Sequence, residues 1–358
     1  MVVHSLRIPW RLIILASLML VTVLWSGCYP SNPQSTFDPA GRIAREQLTL
    51  FQIIFWTAAF VFVVVEGALI YAVFRFRKKA GQQPLPKQTH GNTPLEVTWT
   101  IIPALILVVI AVPTITTIFA QADAPEGEVV RVKAVAHQWW WEFNYPEVGV
   151  TTANELHIPI NKPITLQLTS QDVIHSFWIP KLAGKTDMIP TRTNAMWFEA
   201  EEPGLFYGQC AEFCGTAHAL MRFRVIAQSQ AEFDAWVAAQ QAPPAAPMAR
   251  EFGLKGCTVC HTVNGPDAEG VQERRMDGFR QGQPQFPAPN LTHFATRDTL
   301  AAGLLERSDD NLRRWIQDPG EVKPGNRMGE LAGAYHNANQ SLSDADVAAL
   351  VAYLQSLK

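Results

Sequence analysis

Two long apolar segments, residues 50–74 and 97–119, dominate the pattern of hydrophobic and polar positions in the first third of the chain. Each is long enough to cross the hydrocarbon core of a bilayer, about 30 Å, as a helix. The basic stretch 75–79 lies between them, and because positively charged loops stay in the cytoplasm, both ends of the hairpin should face outwards. We therefore predict a transmembrane hairpin over residues 45–122, with everything that follows on the outer side.

A shorter apolar run, residues 12–24, precedes the hairpin. It follows basic residues and ends before Cys28, which predicts a signal peptide over residues 1–28. The small pair Ser26-Gly27 is similar to the site at which bacterial lipoproteins are cleaved and lipidated, although Trp25 stands where that site has a small aliphatic residue. Lipidation of Cys28 is one prediction, and ordinary cleavage or an uncleaved anchor are the alternatives.

Short β-rich stretches replace the helical pattern after the hairpin. Val, Ile, Thr and aromatic residues recur there in short runs that Pro, Gly and Asn turns separate. Short strands at this spacing predict an all-β domain of cupredoxin-like fold over residues 124–235. A Pro/Ala-rich linker, residues 236–248, follows. Amphipathic stretches beyond it predict an all-α domain over residues 249–358.

The composition of the 358-residue chain limits the class of protein. The chain is 48% hydrophobic and 17% charged, with a net charge of -3. It is thus apolar for a soluble protein, and its small charge argues against nucleic acid as a partner. Its five cysteines comprise one single residue and two close pairs, which is not the pattern of a disulfide framework. Close pairs with a histidine nearby more often hold a metal or haem.

The first pair of cysteines lies among other soft ligands. Two thiols, an imidazole and a thioether fall within twelve residues, namely Cys210, Cys214, His218 and Met221. Sulfur and imidazole ligands select copper over hard cations. A disulfide would leave His218 and Met221 without a role, and methionine is a poor ligand for structural zinc. A further ligand must come from elsewhere, and His175, which follows a predicted strand, is favoured over His137 and His157.

The second pair, Cys257 and Cys260, is followed directly by His261. This Cys-x-x-Cys-His motif, on the exported side of a membrane, predicts a covalently attached haem c with thioethers from both cysteines and the His261 imidazole on the iron. Met328 lies on a Pro/Gly loop between helical stretches and is the favoured sixth ligand. The other candidates for that position are Met276, His293 and His336.

These motifs resemble those of a known family. The hairpin, the run His137-Gln138-Trp139-Trp140-Trp141 and the stretch 169–225 are similar to subunit II of haem-copper cytochrome c oxidases, over roughly residues 45–235. The resemblance implies a dinuclear copper A (CuA) centre. The ligands it implies are the bridging Cys210 and Cys214, His175 and Met221 on one copper, and His218 and the backbone carbonyl of Glu212 on the other.

The same resemblance implies roles for residues around that centre. Trp139 matches the aromatic residue through which electrons arrive from cytochrome c, and Trp140 stands where many relatives have tyrosine. The Glu212 side chain would also reach a magnesium ion at the boundary with subunit I. Three residues match a surface that faces subunit I and its haem propionates, with solvated surface as the alternative: Lys185, Asp187 and Arg192.

Two glutamates in or near the predicted spans are candidates for a proton path. Glu66 lies well inside the first span, where an ionisable group is costly, and a hydrogen bond to a neighbouring subunit is the alternative. Glu96 matches a glutamate at the mouth of a proton path in subunit I. Favourable electrostatics at a helix N-terminus explain an acid there equally well.

A cytochrome c domain fused to a CuA domain predicts the subunit at which electrons enter a proton-pumping cytochrome c oxidase of the bacterial inner membrane. Tethering should keep the donor at an effective concentration of roughly millimolar. Electrons would pass from haem c to CuA and then to the haem of subunit I, where oxygen becomes water. The expected partners are subunit I, the other oxidase subunits, membrane lipid, and an external donor such as a cytochrome or the preceding respiratory complex.

Two other functions remain open. A nitric oxide reductase can also receive electrons through a CuA subunit, and a membrane-anchored electron carrier or copper-delivery protein would need no enzymatic partner. A quinol oxidase subunit is disfavoured, because its relatives lack the copper ligands. The oxygen-reducing site must lie in another chain, since two membrane helices with almost no histidine cannot hold its metals.

Overall fold

The computed structural model describes most of the chain, namely residues 9–26, 32–77, 90–265, 271–283 and 286–358. Cys28 lies outside the described residues, so its predicted lipidation stays a prediction. The N-terminal helices are α1 (Trp10–Ser26), α2 (Arg42–Phe76) and α3 (Thr93–Ala122).

Helices α2 and α3 confirm the predicted pair of apolar helices. With 35 and 30 residues, both are long and apolar enough to cross a membrane. Asn92 caps α3, because its side chain accepts a hydrogen bond from the Leu95 N–H at 3.2 Å. The Asn92 N–H in turn donates to Glu96 Oε1 at 3.0 Å. Glu96 therefore helps to begin α3.

The predicted all-β domain is a sandwich of two five-stranded sheets. The strands are β1 (Val130–His137), β2 (Trp140–Tyr145), β3 (Val150–Ala153), β4 (Glu155–Pro159), β5 (Ile164–Ser170), β6 (His175–Trp178), β7 (Lys185–Met188), β8 (Asn194–Phe198), β9 (Gly204–Cys210) and β10 (Arg222–Gln228). Their orders in the two sheets are β3-β2-β1-β5-β8 and β4-β10-β9-β6-β7. The pairs β1/β5 and β4/β10 are parallel, and the other pairs are antiparallel.

Aromatic side chains fill the space between the two sheets. Trp141 and Phe143 from one sheet meet Phe177 and Phe223 from the other, and all four are fully buried. The rings of Phe177 and Phe223 stack with their centroids 4.5 Å apart. Packing of this kind holds the strands in a single register, so the loops at their ends have fixed positions.

The C-terminal domain is built from short helices. Helix α4 (Gln230–Gln241) packs on the sandwich and covers the start of the predicted linker, so the Pro/Ala segment begins at Ala242. The elements that follow are α5 (Arg250–Leu254), α6 (Val271–Arg280), β11 (Thr299–Leu300), β12 (Leu305–Glu306), α7 (Asp309–Gln317), α8 (Pro319–Val322), α9 (Arg327–Leu331), α10 (Gly333–His336) and α11 (Asp344–Ser356). Apolar faces of α7 and α11 form its core.

Buried polar groups join this domain to the sandwich. Glu155 of β4 is 1% exposed and accepts hydrogen bonds from the N–H groups of Asp298 (2.9 Å) and Thr299 (2.7 Å) and from the Thr299 hydroxyl (2.7 Å). Arg224 of β10 donates to the Gly303 carbonyl at 2.8 Å. The two domains are therefore docked through specific contacts, which goes beyond the tether that the linker predicts.

Substitution of Glu155 by alanine should loosen this docking. The N–H groups of Asp298 and Thr299 would lose their acceptor inside the interface, at a cost of about 1–3 kcal/mol. Proteolysis of the Pro/Ala segment should then accelerate, because cleavage follows the population of the open form. The control is Glu147→Ala, since Glu147 forms an exposed ion pair with Arg131. Equal cleavage rates for both variants would contradict this account of the interface.

Candidate metal centres

Adjacent strands bring the soft ligands of the sandwich together. Cys210 ends β9, and His175 begins the neighbouring strand β6. The loop after β9 carries Cys214 and leads into a 3₁₀ turn, His218–Leu220, after which Met221 precedes β10. Since β10, β9 and β6 are neighbours in one sheet, these side chains meet at one end of it.

The side chains form a cluster of sulfur and nitrogen atoms. The Sγ atoms of Cys210 and Cys214 are 3.8 Å apart, and neither cysteine forms a disulfide. His175 Nδ1 lies 3.8 Å from Cys210 Sγ, and His218 Nδ1 lies 3.5 Å from Cys214 Sγ. Met221 Sδ lies 3.9 Å from Cys214 Sγ. The structure thus brings together both thiols, both imidazoles and the thioether that the sequence predicts.

Electrostatics at the cluster favour a thiolate. The hydrogen bond between the two thiols lowers the pKa of Cys210 and raises the pKa of Cys214, so the pair holds one negative charge. Burial is the largest single influence on His175 and lowers its pKa, but the hydrogen bonds and negative charges of Asp172 (Oδ1 at 2.8 Å) and Cys210 together outweigh burial and raise the pKa. This bond occupies His175 Nε2 and leaves Nδ1 facing the sulfur atoms.

The donor set fits a soft metal ion. Ligand atoms of His175, Cys210 and Cys214 lie within 4.8 Å of one another, and all three residues are buried. The backbone oxygen of Glu212 lies 3.2 Å from Cys210 Sγ. Thiolate, imidazole and thioether ligands in this arrangement suit copper, which prefers soft donors.

The competing histidines lie away from this cluster. The ring of His137 stacks on Trp140 with centroids 4.2 Å apart, and its Nε2 lies 3.3 Å from Glu142 Oε2. The ring of His157 stacks on Trp236 at 4.3 Å. Of the three histidines weighed from the sequence, only His175 has its ring near the thiols.

A cavity of about 470 Å³ lies in the C-terminal domain, at its boundary with the sandwich. Both cysteines of the haem motif line it, together with His261 and Met328. His261 Nδ1 is 2.8 Å from the Pro289 carbonyl, which leaves Nε2 free as a ligand. Burial lowers the pKa of His261 to about 4, so the imidazole is neutral and can bind iron. These residues fit a covalently bound haem.

The other candidates for the sixth ligand do not line this cavity. Met276 is buried in α6, at 3% exposure. His293 Nδ1 lies 3.0 Å from the Lys358 carbonyl, and His336 Nε2 lies 2.7 Å from the Gly329 carbonyl. Met328 is therefore the one candidate of the four on the cavity wall.

Comparisons with known proteins match the whole of this architecture. Family models for the transmembrane and periplasmic domains of cytochrome c oxidase subunit II match residues 30–117 and 149–228, and a cytochrome c model matches residues 240–358. The chain is 39% identical over 353 residues to cytochrome c oxidase subunit 2 of Alkalihalophilus pseudofirmus, covering 95% of this chain and 96% of the relative. The chain belongs to the cytochrome c oxidase subunit II family.

Other members of the family are similar over different lengths. Cytochrome c oxidase subunit 2 of Bacillus subtilis is 36% identical over 374 residues, covering 98% of both chains. Quinol oxidase subunit 2 of Bacillus subtilis is 37% identical over 232 residues, covering 63% of this chain and 71% of the relative. In this chain, the periplasmic domain of the family implies CuA and the cytochrome c domain implies haem.

One residue of the subunit touches both sites. The indole N–H of Trp139 donates to the Cys214 carbonyl at 3.1 Å, and the Gln138 side chain donates to the same oxygen at 2.7 Å. Trp139 also lines the haem cavity. Lys323, from the cytochrome c domain, donates to the Trp139 carbonyl at 2.7 Å.

The remaining predicted residues lie outside these contacts. Lys185 and Asp187 are on β7, an edge strand, with their charged atoms 4.0 Å apart; Lys185 is exposed and Asp187 is half-buried. Arg192 is also exposed, and Glu212 is half-buried. Glu66 lines a groove between α2 and α3. The roles that the resemblance implies for these residues stay predictions.

Sequence reasoning missed Asp172, Gln138 and Lys323. Asp172 has a local signal, because a carboxylate three residues before a histidine can hydrogen-bond that histidine. Gln138 is next to Trp139, but its contact with Cys214 depends on the fold. Lys323 has no local signal, since its partner Trp139 is in another domain.

The substitution Asp172→Asn should weaken metal binding at the cluster. Loss of the carboxylate leaves the His175 ring poorly oriented and less basic, which costs roughly 10–100-fold in metal affinity. The measurement is the rate at which the copper absorption of the full-length chain is lost to a chelator. Asp234→Asn, on the exposed face of α4, is the control and should behave as the parent. Equal rates in all three proteins would rule out a supporting role for Asp172.

Proposed function

We propose that this chain is the subunit at which electrons enter a proton-pumping cytochrome c oxidase, and that its cytochrome c domain reduces its own copper domain. Membership of the family and the C-terminal cytochrome c domain support the oxidase role. The observation that carries direct transfer within the chain is the position of Trp139, which lines the haem cavity and hydrogen-bonds the carbonyl of Cys214.

The proposed cofactors are one haem c and a dinuclear CuA, each of which exchanges single electrons when bound. The cytochrome c domain would hold its haem through Cys257, Cys260, His261 and Met328. The copper ligands are those of the sulfur and nitrogen cluster: Cys210, Cys214, His175, His218, Met221 and the carbonyl of Glu212. A magnesium ion at the Glu212 side chain, shared with subunit I, belongs to the same proposal.

Rigid docking supports transfer inside one chain. The contacts of Glu155 and Arg224 fix the cytochrome c domain on the sandwich. A further contact between the domains, exposed to solvent, lies near the copper ligands, where Arg280 donates to the Gln171 carbonyl at 2.7 Å. A donor held in place by buried polar contacts needs no diffusional search before each transfer.

The exposed surface supports contact with subunit I. Phe213 lies in the copper loop between Glu212 and Cys214 and is 75% exposed, which is unusual for a large apolar side chain beside a metal cluster. Lys185, Asp187 and Arg192 add charged groups on the same domain. We propose that these residues meet subunit I, that α2 and α3 anchor the chain in the bacterial inner membrane, and that both domains lie on its outer face.

Removal of the Trp139 ring should slow electron transfer from haem to copper. In Trp139→Leu the contact between the haem cavity and the Cys214 carbonyl is lost, and misplacement of a reacting pair by about 1 Å can cost on the order of 10²-fold in rate. The measurement is flash photoreduction of the haem, followed at the copper band. The control is Trp236→Leu, because Trp236 packs on His157 and lines neither site. An unchanged rate in Trp139→Leu would contradict electron transfer from haem to copper by way of Trp139.

The gas that the intact complex consumes distinguishes a cytochrome c oxidase from a nitric oxide reductase. We expect the purified complex to consume oxygen and release protons when the haem of this chain is reduced, with copper bound to this subunit. Consumption of nitric oxide with no oxygen uptake would instead assign a nitric oxide reductase. A chain that purifies without any enzymatic partner would support the carrier function.

A further inference from the structure

The wall of the haem cavity carries an unbalanced positive charge. Among the described residues no carboxylate lines it, whereas four cations do: Lys255, Arg297, Lys323 and Arg327. Lys255 pairs with Asp346 at 2.8 Å, and Arg327 pairs with Glu330 at 3.1 Å. In the described part of the chain, Arg297 and Lys323 have no carboxylate oxygen within 4.0 Å.

Both unpaired cations are buried. Lys323 is 3% exposed and Arg297 is 8% exposed. Backbone carbonyls are their hydrogen-bond acceptors: Lys323 Nζ donates to Trp139 and Ala301, and Arg297 donates to Asn290. Carbonyl groups solvate a cation but do not neutralise it. Burial lowers the pKa of Lys323 to about 7 and that of Arg297 to about 10, and the negative charge of Glu155, which lies beyond ion-pair distance, only partly offsets burial at Arg297.

Buried charges in folded proteins are paired or bind an ion. A haem supplies the missing charge, because it carries a pair of carboxylates, its propionates, on an otherwise apolar ring. We propose that Arg297 and Lys323 bind the haem propionates, and that Lys323 thereby joins the haem to the Trp139 backbone of the copper domain. This inference rests on the proposed presence of haem c in the cavity.

A further donor on the same wall fits this assignment. Trp140 lines the cavity, and its buried indole N–H has no acceptor among the described residues. Trp140 belongs to β2 of the copper domain, whereas Arg297 and Lys323 belong to the cytochrome c domain. The haem pocket is thus completed across the domain boundary, and haem binding and domain docking share the contacts of Lys323.

The test is an equilibrium redox titration of the haem in the full-length chain, carrying Lys323→Met. A cation beside the propionates stabilises the reduced haem, which is the more negative state. Its loss should shift the reduction equilibrium about tenfold towards the oxidised haem, or about 59 mV for one electron. The unpaired propionate should then titrate near neutrality, so the potential should fall as pH rises, a dependence that the parent lacks.

Two further variants control this result. Lys323→Arg keeps the charge and should restore both the potential and its flat pH profile. Arg314→Met removes an exposed cation of the same domain, with its side chain 53% exposed, and should change neither. If Lys323→Met fails to bind haem, Arg297→Gln, measured in the same way, should show the same lowered and pH-dependent potential.

Different results would overturn the propionate site and the proposed function. A Lys323→Met chain with full haem content and an unchanged potential and pH profile would overturn the propionate site, even if the rate of transfer to copper changed, because Lys323 would then only hold Trp139. A parent chain that lacks covalent haem would instead overturn the proposed function. The titration needs no electron transfer to copper, so the two failures are distinguishable.

Discussion

The carbonyl oxygen of Cys214 is the point on which the rest of the arrangement depends. It accepts hydrogen bonds from the Trp139 indole at 3.1 Å and from the Gln138 side chain at 2.7 Å. These bonds fix the copper loop against the turn between β1 and β2. On the other side, the Trp139 carbonyl accepts a bond from Lys323 of the cytochrome c domain. Trp139 of the sandwich thereby connects the copper loop to the cytochrome c domain.

The domain interface is specific because its polar groups are buried. An apolar interface tolerates sliding, whereas a buried carboxylate such as Glu155 must keep its donors or lose the free energy of their hydrogen bonds. Most of the partners of Glu155 and Arg224 are backbone groups, which cannot move independently of the fold, so these contacts define one orientation. Exposed ion pairs such as Lys133 with Glu273, at 3.6 Å, add little to the free energy that holds the two domains together.

Local chemistry in the sequence predicted most of the fold and of the candidate ligands. The apolar segments, the strands of the β-rich stretch and the two cysteine motifs are each formed by residues close together in sequence. Their periodicity and spacing therefore predict the helices, the strands and the ligands directly. His175 had competitors because three histidines follow or lie in strands, and only the packed sheet turns the His137 and His157 rings onto tryptophans instead. Met328 gained support from the cavity that it lines.

Contacts between domains could not be predicted, because they join residues far apart in sequence. Glu155 with Thr299 and Lys323 with Trp139 are pairs of this kind. Each of these residues is ordinary in its local sequence, and its role depends on how the two domains meet. The docked interface therefore adds specific contacts to the tether that the Pro/Ala segment indicates, and both domains contribute residues to the wall of the haem cavity.

The most direct test of this account is the rate of electron transfer from haem to copper, measured after flash photoreduction of the intact chain over a series of protein concentrations and solvent viscosities. Docking beside Trp139 predicts a single rate that depends on neither variable. A rate that rises with protein concentration would show that electrons pass between molecules, and a rate that falls with viscosity would show that the cytochrome c domain must first find its partner. Either result would contradict direct transfer within a docked chain.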